Sequence, residues 1–355
     1  MKGKPTDLNR ILEYYNNNNY IDAEILINEQ LKRFPDQIFC LKLLAIIYGK
    51  TDRTSKALKV NKKLLILLPH DADTYCNLGI NQKNLNIDNE AKNNFEKAIQ
   101  LNPYFGIAYY NLGMVIKKLK GSDGDVIYKY ITALHVDPSL TNIYPELAVL
   151  LRNKKFNRYH KEAVNVLLNL LDYKHCFRAA SLHDSVISLI QMDSNFIELS
   201  REYLKGNLLY GQCIGKLSKL TLLLKYMELA PIINLEIENI LKSLRSKILC
   251  NIENISNTSD LILFQRPLAI QCFLNEYIYG VSKSEINALK ILENRIEDNL
   301  SKGVYPSNSE VACLASYKPL GDYNWIRYIK IDESIQKIYL KQYVEPNKED
   351  SIKND

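Results

Sequence analysis

The sequence predicts an all-α protein in which helical hairpins stack in series, followed by irregular helical pairs and a small helical domain. Three sets of landmarks share a 34-residue period, with one 35-residue step at the end of the first two sets. The hairpin-ending prolines are Pro35, Pro69, Pro103 and Pro138. The second-helix positions are Ala23, Ala57, Ala91 and Val126. The close-packing first-helix positions are Ile11, Ala45, Gly79 and Gly113. A period shared by different parts of the unit indicates a stack of helix pairs.

The hairpin of residues 72–105 shows how each unit is built. Its first helix presents one apolar face, on which Gly79 is small enough to let a second helix approach closely. Residues 86–88 supply the turn. The second helix carries an apolar stripe with i, i+4 and i+7 spacing, formed by Ala91, Phe95 and Ala98. Pro103 then ends the unit, because proline cannot extend a helix.

These offsets resemble those of the tetratricopeptide repeat (TPR) family, whose pattern has a bulky residue, Leu-Gly, Ala, Phe, Ala and Pro at the same places. Residues 72–105 match nearly every position, and residues 38–71 keep Leu44-Ala45, Tyr48, Ala57 and Pro69. The resemblance covers residues 4–140 and implies a right-handed α-solenoid. It predicts about four repeats, at residues 4–37, 38–71, 72–105 and 106–140. It is specific to a fold rather than to an activity.

The repeat pattern fails after Pro138. Residues 141–250 keep helical apolar stripes but lose the 34-residue period, so we predict degenerate helical repeats there. The stretch 251–260 is dense in Asn, Ser and Asp and predicts a domain boundary. Beyond it, residues 261–345 are predicted to form a helical accessory domain, and the polar residues 346–355 a disordered tail.

Local signals place the helices of the accessory domain. Pro267 fits the first turn of a helix that ends near Gly280. Ser282 and Glu285 have the spacing of a capping box, which predicts the start of the next helix. Gly303 predicts the end of that helix.

This part carries a second resemblance. Four strings, at residues 235–249, 269–279, 314–320 and 340–346, look like the helical region between a TPR array and a SAM-dependent methyltransferase domain in certain bacterial proteins. The resemblance implies an accessory helical domain, and in those proteins the methyltransferase would begin shortly after the position where this chain ends. It brings no catalytic residue with it.

Composition narrows the class of protein. The formal net charge is +6 and is spread along the chain, so nucleic acid is not the expected partner. No segment approaches the ~18 uninterrupted apolar residues of a membrane span, and the N-terminus is too polar for a signal peptide. The seven cysteines are scattered and include no CxxC pair, which favours buried reduced thiols. We therefore expect a cytoplasmic protein without a membrane partner.

Cofactor and metal sites are not predicted. A SAM or dinucleotide site needs a glycine-rich turn between a strand and a helix, and the chain offers no such turn. His175-Cys176 and His183-Asp184 lack the short, regular ligand spacing of zinc sites. No Ser-His-Asp or Cys-His arrangement can be placed. We therefore predict no cofactor, no metal, no catalytic residue and no small-molecule substrate, and we do not expect an enzyme.

One concentrated basic patch lies at residues 152–161. It contains Arg152, Lys154, Lys155 and Arg158, interleaved with Phe156 and Tyr159. Such a patch could hold a phosphate, an acidic tail or RNA. A solvated loop at the point where the repeats lose register is the simpler interpretation.

The stronger candidate site is the inner face of the repeats, where equivalent first-helix positions of successive repeats should form ladders. Asn9, Asn77 and Asn111 share one such position, and Leu43 interrupts the ladder in the second repeat. An amide both donates and accepts hydrogen bonds, which suits an extended peptide backbone. The predicted groove also includes Lys42, Lys83, Lys117, Lys118, Tyr110 and Met114.

The leading functional hypothesis is a protein–protein interaction scaffold that binds a peptide or helix of a partner in this groove. The alternative is a non-catalytic substrate-recognition or regulatory module of a SAM-dependent methyltransferase system. Bare nucleic-acid binding rests on residues 152–161 alone.

Overall fold

The computed structural model describes residues 5–173, 177–206, 210–254 and 258–346. Within these ranges the chain forms nineteen α-helices, four short 3₁₀ turns and one π-helical turn, and it contains no strand. The predicted all-α fold class is confirmed. Residues 347–355, most of the predicted disordered tail, lie outside the described ranges.

The chain divides into two compact units, residues 1–150 and 151–355. The N-terminal unit contains four helical hairpins, α1–α8, and most of a ninth helix. Their bounds are α1 Pro5–Asn16, α2 Tyr20–Arg33, α3 Ile38–Lys50, α4 Thr54–Leu67, α5 Ala72–Asn84, α6 Asp88–Leu101, α7 Gly106–Lys118, α8 Asp123–Val136 and α9 Tyr144–Leu151. Each of the helices α1–α7 packs on the next one in the chain, as the 34-residue period predicts.

Close helix contacts within the hairpins lie where the small residues predict them. A Cβ added at Gly79 would lie 2.8 Å from Cε1 of Phe95 on the paired helix. At Gly113 it would lie 2.6 Å from Cε1 of Tyr130. Both aromatic side chains are fully buried. The absence of a side chain at each glycine therefore lets the aromatic ring lie directly against the backbone of the first helix.

The turns inside the hairpins repeat with the same period. Asn18, Asp52, Asn86 and Lys120 occupy equivalent positions of the four hairpins, and each has a positive φ of 55–61°. This left-handed conformation is strained for most residues, and among those other than glycine Asn and Asp tolerate it best. Because Lys120 keeps the period and Val126 does not, the one-residue insertion of the fourth hairpin lies between these two residues.

One core position of the second hairpin is polar. Ile27, Phe95 and Tyr130 occupy the same place in the other hairpins and are fully buried, whereas the second hairpin has Asn61. Asn61 is also fully buried, and neither its amide nitrogen nor its amide oxygen has a hydrogen-bond partner. A buried polar group without a partner costs about 1–3 kcal/mol of stability, so the second hairpin contains a local defect.

The C-terminal unit contains shorter and less regular helices. Their bounds are α10 Lys161–Asp172, α11 His183–Met192, α12 Ser194–Leu204, α13 Tyr210–Leu217, α14 Thr221–Met227, α15 Leu235–Cys250, α16 Ser259–Leu274, α17 Lys283–Ser301, α18 Asn308–Ala315 and α19 Glu333–Tyr339. A π-helical turn at Leu340–Val344 continues α19. Helix α15 contacts both α17 and α18 across the sequence 251–260. The predicted domain boundary in that stretch stays a prediction.

A buried glutamine connects three segments of this unit. The Gln342 amide nitrogen donates to the backbone oxygens of Ala269 on α16 and Ala315 on α18, at 2.9 and 3.0 Å. Its amide oxygen accepts from the backbone nitrogen of Leu320 at 3.2 Å. These residues belong to three of the four strings that carry the second resemblance, so those strings form one packed core.

An ionic cluster involves the remaining string. Arg245 on α15 is buried and lies 3.6 Å from a carboxylate oxygen of Glu285, with its guanidinium 4.3 Å from the ring centre of Tyr317. The Tyr317 hydroxyl donates to the same carboxylate at 2.8 Å. Although burial acts to raise the pKa of Glu285, hydrogen bonds from Ser282 and Tyr317 hold it below its usual value.

Several local predictions for this unit are confirmed. Ser282 and Glu285 form a complete capping box at the start of α17. Gly303 follows the end of that helix with a φ of +74°.

The prediction for Pro267 is wrong. The helix begins at Ser259, with the Thr258 side chain as its cap, and it ends at Leu274 rather than near Gly280. The carbonyl that loses its helical partner through Pro267 belongs to Leu263, a residue that is 42% exposed.

We expect Gly79→Leu and Gly113→Leu each to lower the free energy of unfolding by about 1–3 kcal/mol, because the new side chain would overlap a buried aromatic ring. Denaturant unfolding of the purified variants measures this. Gly215→Leu is the control, since no heavy atom lies within 4 Å of a Cβ built there. Unchanged stability in both repeat variants would contradict the assigned helix contacts.

We expect Asn61→Leu to raise the free energy of unfolding by about 1–3 kcal/mol, because it removes two unpaired polar atoms from the core. Thermal and denaturant unfolding both measure this. A less stable variant would show that the amide makes a hydrogen bond that the fold requires.

Candidate functional site

The first helices of the repeats form one continuous face. Helix α3 contacts α5, and α5 contacts α7. Among the described residues, no comparable contact joins α4 to α6 or α6 to α8. The first helices therefore lie closer together, and their exposed side forms the inner face of the stack. We use "inner face" for this side of α1, α3, α5 and α7.

An apolar stripe follows the inner face. Leu12, Ile46, Ile80 and Met114 occupy equivalent positions of successive repeats, and each is only partly buried. They lie one helical turn after the Asn9, Asn77 and Asn111 ladder. Of these four, the predicted groove includes only Met114, although the repeat spacing in the sequence is enough to identify the other three.

Lys83 lies beside this stripe. Its ammonium group donates to the Asn111 side-chain oxygen at 2.7 Å and lies 3.7 Å from the Met114 sulfur. No carboxylate of the described residues forms an ion pair with it. Burial without a counter-charge destabilises the charged form, so the pKa of Lys83 lies below its usual value.

Three other predicted groove lysines already have carboxylate partners. Lys42 lies 2.8 Å from Asp71, and Lys117 lies 3.7 Å from Glu146. Lys118 is likewise paired, with Asp88 at 2.9 Å. Among the described groove lysines, only Lys83 is both half-buried and without a carboxylate.

The predicted asparagine ladder is only partly available. Asn9 is exposed and Asn77 is half-buried, and no hydrogen bond is found for either side chain within the described residues. Asn111, by contrast, is 5% exposed. Its amide nitrogen donates to the Ile107 backbone oxygen at 2.8 Å, and its amide oxygen accepts from Lys83. Unlike Asn77, Asn111 is therefore not free to meet a peptide backbone, because it is buried and Lys83 uses its acceptor.

Tyr110 borders the same face. Its ring centre lies 5.6 Å from that of Tyr130, and the side chain is half-buried. Burial raises the pKa of the Tyr110 hydroxyl. Tyr110 therefore faces α8, whereas Lys83 and Met114 meet between α5 and α7.

The basic patch belongs to the C-terminal unit. The side chains of Arg152, Lys154, Lys155 and Arg158 are exposed. Arg158 Nε donates to Nε2 of His160 at 2.9 Å. This exposure agrees with the expectation of a solvated segment.

Metal-ligating side chains do not converge in the part of the chain that the structure describes, where no group of three or more His, Cys, Asp or Glu residues could hold an ion. Both ring nitrogens of His183 have partners, the Tyr226 hydroxyl at 3.3 Å and the Ile233 backbone oxygen at 3.2 Å. The pair His175-Cys176 lies outside the described residues. In the same ranges no helix is long and apolar enough to cross a membrane.

No protein-family model and no curated protein matches this chain. Among solved structures, pilF of Pseudomonas aeruginosa is 18% identical and is matched over 63% of this chain and 94% of its own length, with a TM-score of 0.41. A thermophilic TPR protein of Thermus thermophilus is also 18% identical, over 57% and 98% of the two chains, with a TM-score of 0.37. MamA is 22% identical, over 45% and 91%, with a TM-score of 0.38. The fold described above rests on the helix packing of this chain and not on these likenesses.

The two asparagines of adjacent repeats give a matched pair of variants. We expect Asn111→Ala to lower the free energy of unfolding by about 1–3 kcal/mol, because it removes a buried amide that bonds to the Ile107 backbone oxygen and leaves the half-buried Lys83 ammonium without its acceptor. We expect Asn77→Ala to change it by less than about 0.5 kcal/mol. Denaturant unfolding compares the two, and equal effects would contradict the burial assigned to Asn111.

Proposed function

We propose that the N-terminal unit is a protein-interaction module whose inner face binds a segment of a partner protein that carries an acidic residue beside an apolar one. The observation that carries this proposal is Lys83, a half-buried ammonium without a carboxylate among the described residues, which lies against Met114 of the apolar stripe. A cytoplasmic location, expected from the sequence, accords with this function.

The charge of Lys83 is the source of both affinity and selectivity. Because its pKa is lowered by burial, the free protein stabilises the ammonium poorly. A partner carboxylate would favour the charged form and raise that pKa. Binding should therefore weaken as the pH rises through the lysine range, and the association rate should fall as salt is added.

The rest of the inner face can serve the apolar and backbone parts of the ligand. Ile80 and Met114 are partly exposed one repeat apart, so they can contact successive apolar side chains of an extended segment or of a helix. The Asn77 amide has no partner within the described residues, so it can exchange hydrogen bonds with a peptide backbone. Asn111 cannot act in the same way without losing its bonds to Ile107 and Lys83.

We expect the double variant Asn77→Ala, Lys83→Met to weaken capture of the partner about tenfold, since one polar contact and one charged contact are lost. Pull-down from native lysate, with quantitative identification of what is retained, measures this. Lys59→Met is the control, because Lys59 is exposed on α4, away from the inner face, and loses the same charge. Circular dichroism checks that each variant is folded.

Charge reversal at Arg152 and Lys155 tests the rival patch. The inner face is the wrong site if that reversal abolishes capture of the partner while the Asn77→Ala, Lys83→Met variant still binds it normally. Equal loss with Lys59→Met would mean that capture depends on net charge alone.

A second candidate function is a non-catalytic module of a SAM-dependent methyltransferase system. The observation that favours it is the Gln342 core, in which three of the resembling strings meet through hydrogen bonds to Ala269, Ala315 and Leu320. A methyltransferase reading frame directly downstream in the genome, whose product co-purifies with this chain, would support it. A downstream region without such a frame would count against it.

A further inference from the structure

The C-terminal unit contains a cleft of about 250 Å³. It lies between the start of α10, the segment that joins α11 to α12, and the start of α14. Its walls include Lys161 and Asn165 on one side and Lys219 and Thr221 on another.

Apolar side chains form one part of the cleft lining, Asn165, Asp193, Asn195 and Thr221 form another, and the rim is basic. Leu189, Leu220 and Leu222 line the cleft and are otherwise almost completely buried. Lys161 and Lys219 lie at the rim with exposed side chains, and no carboxylate of the described residues pairs with either.

The carboxylate that lines the cleft, that of Asp193, is already used. It accepts from the Asn195 backbone and side-chain nitrogens at 2.8 and 3.1 Å. It also accepts from the Tyr159 hydroxyl at 3.1 Å. Glu162, next to Lys161, is exposed to solvent. The rim ammonium groups are therefore available for a ligand.

The basic segment 152–161 adjoins this cleft through Tyr159 and Lys161, and its backbone is fixed. The hydroxyl of Ser185, a fully buried residue of α11, donates to the backbone oxygens of Leu151 and Lys154 at 2.9 and 2.8 Å. The backbone nitrogen of Phe156 donates to the Ser188 hydroxyl at 3.0 Å. The segment contains five Lys or Arg residues and no Asp or Glu. The backbone that carries these charges is therefore fixed to α11 by hydrogen bonds. The backbone of a free loop would have no such bonds.

We propose that the cleft and the basic segment together bind an acidic peptide segment of a partner protein, with one apolar side chain of that segment inserted in the cleft. The volume is below the range of about 300–1,000 Å³ that is typical of small-molecule sites, and it suits a single large side chain. The lining favours a peptide over a single-stranded nucleic acid, because successive bases need several aromatic platforms and the lining includes one aromatic residue, Tyr159. This proposal does not depend on binding at the inner face of the N-terminal unit.

Fluorescence anisotropy with a defined probe tests this proposal on the full chain. The probe is a fluorescein-labelled heptapeptide with a central leucine and three acidic residues on either side. We expect saturable binding that weakens about tenfold in the double variant Lys161→Glu, Lys219→Glu. The control Lys290→Glu, Lys302→Glu makes the same charge change at exposed positions of α17 and its end, and it should change the affinity by less than about twofold.

Three further measurements decide the outcome. A probe with glycine in place of leucine should bind more weakly, and equal binding would overturn the role of the cleft. The Asn77→Ala, Lys83→Met variant should bind the probe normally, and loss of binding there would assign the probe to the inner face instead. Tighter binding of an unstructured oligonucleotide than of the probe, abolished by the Lys161, Lys219 reversal, would replace the peptide by nucleic acid and overturn the proposal.

Discussion

The N-terminal unit depends on the close approach of two helices within each hairpin. At Gly79 and Gly113 this approach brings a fully buried aromatic ring of the second helix against the backbone of the first. A single hairpin cannot bury its remaining apolar face, so each one must pack on its neighbours, and stability is shared along the stack. Asn61 occupies the same core position in the second hairpin without hydrogen bonds. The second hairpin therefore buries an unpaired polar group where the third and fourth hairpins bury an aromatic ring.

The C-terminal unit is held together in a different way. Its helices share no period, and its interior contains buried polar side chains whose partners come from distant parts of the sequence. Gln342 connects α16, α18 and the segment at Leu320, and Arg245 lies against Glu285 and Tyr317. Breaking a buried ion pair costs more than the pair contributes, because one charge is then left without a partner. Such contacts fix one arrangement of irregular helices where a repeat pattern cannot.

The two candidate binding surfaces share one feature, a lysine that lies beside apolar side chains and has no carboxylate partner among the described residues. Lys42 and Lys117 lie on first helices, as Lys83 does, yet carboxylates of the chain neutralise them. Lys83 in the N-terminal unit, and Lys161 and Lys219 in the C-terminal unit, have no carboxylate partner within the described residues. Each of these lysines also lies beside apolar side chains that are partly open to solvent or line a cleft. An uncompensated charge next to an apolar surface suits a ligand that supplies both an acid and a hydrophobic group.

The amino-acid sequence by itself determined the helical hairpins and their turns, because a repeated unit imposes one spacing on its prolines, small residues and left-handed turn residues. It also determined the capping box at Ser282. Only the tertiary structure decided which polar side chains are free, because that depends on neighbours far away in sequence. Asn77 and Asn111 occupy equivalent positions, but Lys83 from the preceding repeat binds only Asn111, which lies buried beside it. Contacts with residues distant in sequence also decide the backbone of the basic segment 152–161, whose composition suggested a solvated loop. Two serines of α11 fix its backbone, and no local pattern in the sequence shows that they lie close to it.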